Sequence, residues 1–152
     1  MQRFARVLIA LAFLFVAAVF AAQAQSAGDA CSLLTSAQVS AVAGAQMSPG
    51  TYVTPTFKTT CTWTAAGKIV TLMTESVDAY NKGKTPLSPA MQIVPASGIG
   101  DDAYYVVMAG KMVSLFVKKD SNAFKLTVYS QLPVPKLEAM ESALAQQVAG
   151  KL

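Results

Sequence analysis

The sequence AYYVVMAGKMVSLFVKKDSNAFKLTVYS, residues 103–130, contains three segments rich in β-branched and aromatic side chains. Such side chains favour strands. The segments are separated at 109–111 and 119–122, where glycine, aspartate, serine and asparagine favour tight turns. The stretch therefore predicts an antiparallel meander of three strands, at 103–108, 112–118 and 123–130.

A strand pair is predicted upstream of this meander. In residues 57–64 two sets of residues alternate: Phe57, Thr59, Cys61 and Trp63 form one set, and Lys58, Thr60, Thr62 and Thr64 form the other. A turn at 65–68 leads to the β-branched segment 69–74 (IVTLMT). Alternation with a period of two, followed by a turn and a second such run, predicts a β-hairpin.

Helices are predicted on both sides of these strands. Thr35 and Gln38 have the spacing of a capping box, which predicts a helix over about 35–43. Residues 76–82 predict a second, short helix. The last helix begins near Pro135, and its apolar residues recur at helical spacing: Leu137, Met140, Leu144 and Val148. The predicted fold is α+β, with a mostly antiparallel five-stranded sheet, two to three packed helices and the order α-β-β-α-β-β-β-α.

Residues 83–100 form the longest segment without a periodic pattern. They contain Pro86, Pro89, Pro95 and three glycines. A loop of this length in a compact domain is usually functional or mobile, so we expect a binding site beside it.

The N-terminus has the three parts of a secretory signal peptide. Arg3 and Arg6 precede the apolar run 7–22, and Ala22-Gln23-Ala24 provides an A-x-A cleavage site before Gln25. An uncleaved anchor is the alternative, but a run of about 16 residues is shorter than the ~20 that span a bilayer. The predicted organisation is a signal peptide at 1–24, a flexible lead at 25–30 and one disulfide-stapled domain at 31–152.

Cys31 and Cys61 are the two cysteines of the chain. In an oxidising compartment they are expected to pair. Closing a loop of about 30 residues stabilises the fold by roughly 3–4 kcal/mol. Two free thiols or a redox pair are the alternatives, although the spacing is not C-x-x-C. Lipidation of Cys31 is a further alternative, which Asp29 disfavours because it disrupts a lipidation box.

The absence of histidine excludes several kinds of site. Ser-His-Asp and Cys-His nucleophile activation both require histidine, and histidine is a common zinc ligand. We therefore predict no metal and no cofactor. After removal of the two signal-peptide arginines, ten lysines and eight acids leave a net charge of +2, which argues against nucleic acid as a partner.

Carboxylates and aromatic residues remain as candidates. Paired carboxylates among Glu75, Asp78, Asp101 and Asp102 would permit a hydrolase, a lyase or a calcium site. The candidate binding residues lie beside the 83–100 segment or on the hairpin: Asp101, Asp102, Tyr104, Tyr105 and Trp63. Neighbouring strand residues point to opposite faces, so one of the two adjacent tyrosines is expected to be exposed. Trp63 is expected to pack on the disulfide.

Three motifs occur in a characteristic order: Cys31-Ser32-Leu33-Leu34-Thr35, Cys61-Thr62-Trp63, and Gly98-Ile99-Gly100-Asp101-Asp102-Ala103-Tyr104. In this order the chain resembles, over about residues 31–150, a group of bacterial exported proteins and lipoproteins that share a domain of unknown function. The resemblance implies one α+β domain in the bacterial envelope. It implies no activity and transfers no functional residues.

The sequence thus predicts a periplasmic or secreted, non-enzymatic module that binds a small ligand or an envelope protein. It would contact the membrane only through the signal peptide before cleavage. One alternative is a carboxylate-based hydrolase or lyase. The other is a structural or assembly component of the envelope that works through a sheet edge.

Overall fold

The computed structural model describes residues 28–152, so the predicted signal peptide lies outside the described residues. The helices are α1 Ala30–Leu33, α2 Ser36–Ala43, α3 Val77–Lys82 and α4 Val134–Ala149. The strands are β1 Thr51–Thr54, β2 Phe57–Ala65, β3 Lys68–Glu75, β4 Met91–Ala96, β5 Asp102–Met108, β6 Met112–Lys119 and β7 Asn122–Tyr129. None of the helices described is long and apolar enough to cross a membrane.

All seven strands form one antiparallel sheet in the order β1-β2-β3-β7-β6-β5-β4. The chain builds one half as the meander β1–β3, crosses through α3 to the far edge, and returns as the meander β4–β7. The two halves join where β3 pairs with β7, from Ile69 opposite Tyr129 to Glu75 opposite Ala123. The predicted hairpin and the predicted three-stranded meander are both present.

The prediction of five strands in the order α-β-β-α-β-β-β-α is wrong. The order is α-α-β-β-β-α-β-β-β-β-α, still of the α+β class. The two missing strands, β1 and β4, are the edges of the sheet. Pro55 follows β1 directly and Pro95 lies within β4. An edge strand tolerates proline because the amide that proline lacks need not enter the ladder.

One face of the sheet carries α1, α2 and α4 and holds the main core. The helical spacing predicted for α4 is confirmed, because Leu137, Leu144 and Val148 are fully buried against the sheet. The predicted capping box is also confirmed: Thr35 Oγ1 accepts from Gln38 N–H, and the Gln38 side chain accepts from Thr35 N–H. The opposite face, here called the second face, is covered in part by α3.

The predicted disulfide is confirmed. Cys31 and Cys61 are bonded with their Cα atoms 5.0 Å apart, which joins α1 to β2. The ordered domain begins before Cys31, because Ala30 is completely buried and Asp29 caps α1. Asp29 also accepts a hydrogen bond of 2.8 Å from the Tyr52 hydroxyl. Asp29 and Ala30, the last two residues of the predicted lead, therefore pack as part of the domain.

Candidate ligand-binding cleft

The two adjacent tyrosines of β5 are both buried, with 3% of Tyr104 and 9% of Tyr105 exposed. They do point to opposite faces, but helices cover the sheet on both sides at this position. The Tyr105 hydroxyl lies against α4, where it donates to the Glu138 carbonyl oxygen and contacts the Ser142 hydroxyl. The expectation that one tyrosine is exposed is wrong, and Tyr105 is a packing contact between β5 and α4.

Tyr104 holds α3 on the second face. Its hydroxyl donates to the Tyr80 carbonyl oxygen at 2.8 Å. Its ring stacks on Phe116 with centroids 5.0 Å apart, and the Tyr80 ring packs beside it at 5.1 Å. Burial is the main cause that raises the pKa of both tyrosines well above the usual value for a phenol. Neither hydroxyl ionises at neutral pH, so this cluster is a second small core.

The candidate carboxylates do not form a catalytic pair. Glu75 on β3 and Asp102 on β5 lie at the two ends of one cross-strand row on the second face. Ala123 of β7 and Lys118 of β6 lie between them in this row. Three strand spacings correspond to about 14 Å, whereas paired glycosidase carboxylates lie about 5–9.5 Å apart. Asp78 lies exposed in the first turn of α3. The paired-carboxylate hypothesis therefore has no geometric support here.

The two adjacent aspartates have separate structural partners. Asp101 accepts hydrogen bonds from the backbone N–H of Asp120 and from the Lys119 ammonium, and these two donors lower the pKa of its carboxyl group. Asp102 forms an ion pair with Lys84, which lowers the pKa of Asp102 in the same way. Each aspartate thus secures a turn or a helix to the sheet.

Trp63 is part of the main core, with 1% of its surface exposed. A Cβ atom on Gly50 would lie 2.7 Å from the Trp63 Nε1 atom and 2.9 Å from the Cys61 Sγ atom. The indole and the Cys61 sulfur atom therefore pack on the same glycine. Within the 83–100 segment, β4 lies flat as an edge strand. None of the predicted aromatic binding residues reaches a free surface.

At the other end of the sheet, the ladder between two neighbouring strands is interrupted. Strands β6 and β7 pair from Lys119 opposite Asn122 to Leu115 opposite Leu126. Within residues 28–152 the two strands pair no further than this, although each strand keeps its outer partner to the end. The Val128 N–H, which would otherwise face β6, donates to the Glu141 Oε1 atom at 2.8 Å. We call this end of the β6–β7 pair, where the ladder stops, the fork.

Glu141 fills the fork from the helix side. It is completely buried, and its Oε2 atom has no hydrogen-bond partner among the described residues. Burial raises the pKa of Glu141 to about 9, against the opposing effect of the Val128 N–H. The carboxyl group is therefore protonated at neutral pH. Its position gave a signal in the sequence, because it lies four residues after Leu137 and three before Leu144, on the buried stripe of α4.

A cleft of about 590 Å³ lies at the forked end of the sheet. Its walls are the β2–β3 hairpin, the β5–β6 turn, the end of β7 and the first turns of α4. Its apolar lining includes Ile69, Met112, Val128, Tyr129 and Leu137. A volume of this size is typical of small-molecule sites. Sequence reasoning missed it because its residues come from four separate turns and strand ends.

The charged residues in the cleft lining are both lysines. Lys68 and Lys111 are among the residues that line it, and no aspartate or glutamate is. Lys68 donates to the Ala43 carbonyl oxygen. Most acidic side chains lie at the opposite end of the sheet or on α3: Glu75, Asp78, Asp101, Asp102 and Asp120. The cleft therefore has a positive rim around an apolar interior.

Comparison of the chain with protein-family models, with curated proteins and with solved structures finds no match.

Proposed function

We propose that this chain is an exported, non-enzymatic binding module whose small ligand occupies the cleft at the forked end of the sheet. The observation that carries the proposal is the cleft itself, a concave apolar site with a few polar groups on its rim. Such a combination is the usual form of a ligand site. Ile69, Met112 and Tyr129 leave 43%, 38% and 45% of their surfaces exposed there. A ligand that covers these side chains gains free energy from the burial.

Export is supported by two features. The A-x-A sequence at Ala22-Gln23-Ala24 follows a charged and then an apolar segment. The Cys31–Cys61 disulfide is of the kind that persists in oxidising compartments. We therefore propose the periplasm or the exterior as the site of action, in keeping with the resemblance to exported bacterial proteins.

Assembly through a sheet edge has less support. Strand β1 has four residues and an irregular register between Tyr52 and Thr54. At the other edge, β4 contains Pro95. Short, irregular or proline-containing edges resist pairing with a further strand. A binding module agrees better with these two edges than a polymerising component does.

The test uses the exported protein labelled with ¹³C at its methionine methyl groups. A library of small apolar and amphiphilic compounds is screened for shifts of the Met112 methyl resonance, with the buried Met47 methyl as an internal reference. Ile69→Glu places a charge in the cleft and is expected to abolish the shifts. Val53→Glu alters a more exposed apolar residue on β1, outside the cleft, and should preserve them. A screen in which no compound moves Met112 would refute the proposal.

A further inference from the structure

We propose that the ligand of the cleft is a free single-chain carboxylate amphiphile, with its carboxylate on Lys111 and its alkyl chain against Met112, Tyr129 and Ile69. This inference rests on the proposed function and names the ligand class. Each of its parts follows from a separate feature of the cleft.

The surface for the chain is a row of apolar side chains across neighbouring strands. Ile69 lies opposite Tyr129, and Met112 lies at the beginning of β6, beside the end of β7. Ile69 and Tyr129 are one strand spacing apart, about 5 Å, and Met112 lines the same cleft from the side of β6. On the second face the row continues through Met108, which pairs with Met112, and then through Met91, which pairs with Met108. Methionine side chains are flexible and polarizable, and therefore adapt to an alkyl chain.

The group for the carboxylate is Lys111. It lies exposed in the turn directly before Met112. In the part of the chain that the structure describes, the ion pairs involve Lys84 and Lys119, and none involves Lys111. Lys68, across the cleft, already donates to Ala43. Lys111 is thus the cation at this rim that can accept a new anionic partner.

The α4 side of the cleft is also compatible with an anion. Glu141 follows Leu137 by one helical turn and bonds to Val128, and these two neighbours both line the cleft. Because its carboxyl group is buried and protonated at neutral pH, it does not repel a carboxylate. A macromolecular partner fits less well, since a standard protein interface buries roughly 800 Å² on each side and the row offers only a few exposed side chains.

The experiment compares dodecanoate, kept below its micelle-forming concentration, with methyl dodecanoate, kept below its solubility limit, and with acetate. Affinities are measured by titration calorimetry and located by the Met112 methyl resonance. We expect dodecanoate to bind about tenfold more tightly than the ester, a difference of about 1.4 kcal/mol, and acetate not to bind detectably. Lys111→Met should reduce dodecanoate affinity to that of the ester. Lys136→Met removes an exposed lysine of α4 outside the cleft lining and should have no effect.

The possible failures are distinguishable. If dodecanoate and the ester bind equally and both move Met112, the carboxylate assignment is wrong while the proposed binding function stands. If neither moves Met112 but other compounds of the library do, the ligand class is wrong. If no compound moves Met112, both proposals fail. If the protein sediments with phosphatidylglycerol vesicles and free dodecanoate leaves Met112 unmoved, the surface binds membranes and the inference is overturned.

Discussion

The backbone N–H of Val128 donates a hydrogen bond of 2.8 Å to the Glu141 side chain. The carboxyl group of this α4 residue thereby accepts the hydrogen bond that a carbonyl oxygen of β6 would accept in a continuous ladder. An unpaired buried N–H group costs about 1–3 kcal/mol, so Glu141 compensates for the interrupted ladder between β6 and β7.

The raised pKa of Glu141 should make the protein less stable as the pH rises. The unfolded side chain ionises near pH 4.5 and the folded one near pH 9. Between these values the folded state binds one more proton than the unfolded state, so the free energy of unfolding falls by up to about 1.4 kcal/mol per pH unit. The contribution of the protonated Glu141 side chain to the free energy of unfolding is complete below pH 4.5 and is lost as the pH approaches 9. Urea unfolding at pH 5, 6.5 and 8 measures the slope.

Two variants isolate this effect. Glu141→Gln keeps an acceptor for the Val128 N–H but does not titrate, so it should flatten the profile and be more stable than the original protein at pH 8. Glu138→Gln on the same helix is the matched comparison: its charge helps to raise the pKa of Glu141, so this variant should lower that pKa but keep the downward slope between pH 5 and 6.5. Burial also raises the pKa of Glu75, which leaves a small slope of the same sign. Equal slopes in the protein and in Glu141→Gln would contradict the assignment.

Gly83 and Tyr104 should show strong coupling. Gly83 has φ −65°, which any residue adopts, but a Cβ atom there would overlap the Tyr104 hydroxyl. Gly83→Ala should therefore destabilise the protein by about 1–3 kcal/mol through overpacking. Tyr104→Phe alone should cost about 1 kcal/mol, the typical value of one hydrogen bond.

In the Tyr104→Phe background the obstructing oxygen is gone. There, Gly83→Ala should cost less than about 0.5 kcal/mol, because alanine also restricts the unfolded chain. A double-mutant cycle on urea midpoints gives the coupling energy. Additive effects of the two substitutions would show that the hydroxyl is not the obstacle.

Loss of the Cys31–Cys61 bond should destabilise the fold substantially. The bond closes a loop with a sequence separation of 30, for which chain entropy gives roughly 3–4 kcal/mol. The double variant Cys31→Ser, Cys61→Ser should lose that amount in denaturant unfolding. Reduction of the original protein with dithiothreitol is the independent check and should give the same loss. A change below 1 kcal/mol in both would indicate that the unfolded chain is already compact around this segment.

The elements that the sequence predicted correctly are those with a strong local signal. Helix α4 repeats its apolar residues at the helical period and β2 alternates with a period of two. The other predicted strands are runs rich in β-branched and aromatic residues between turn residues. The edge strands were not predicted, because β1 has only four residues, between Gly50 and Pro55, and because β4 contains Pro95. In such segments the propensity of proline favours a loop, and only pairing with a neighbouring strand produces the sheet.

The candidate site was harder to predict than the fold. Tyr104 and Tyr105 were chosen for their neighbourhood, but their burial depends on α3 and α4, which come from distant parts of the chain. The cleft depends on where two strands stop pairing, and no local pattern records that event. Of these features, only Glu141 has a signal in the sequence: it is an acidic residue on the apolar stripe of a helix, where burial shifts its pKa.

The two glycines of Gly98-Ile99-Gly100 should respond differently to alanine. Both have positive φ, +77° at Gly98 and +59° at Gly100, so either substitution incurs the cost of a left-handed conformation, about 1–2 kcal/mol. Around Gly98 the space is open. At Gly100 a Cβ atom would lie 2.5 Å from the Lys118 carbonyl oxygen, which accepts a hydrogen bond of 2.9 Å from the Asp101 N–H. Gly100→Ala should therefore cost at least about 1 kcal/mol more than Gly98→Ala in urea unfolding. Equal losses would mean that Gly100 serves only the turn; the expected excess would show that this motif brings β5 close to β6.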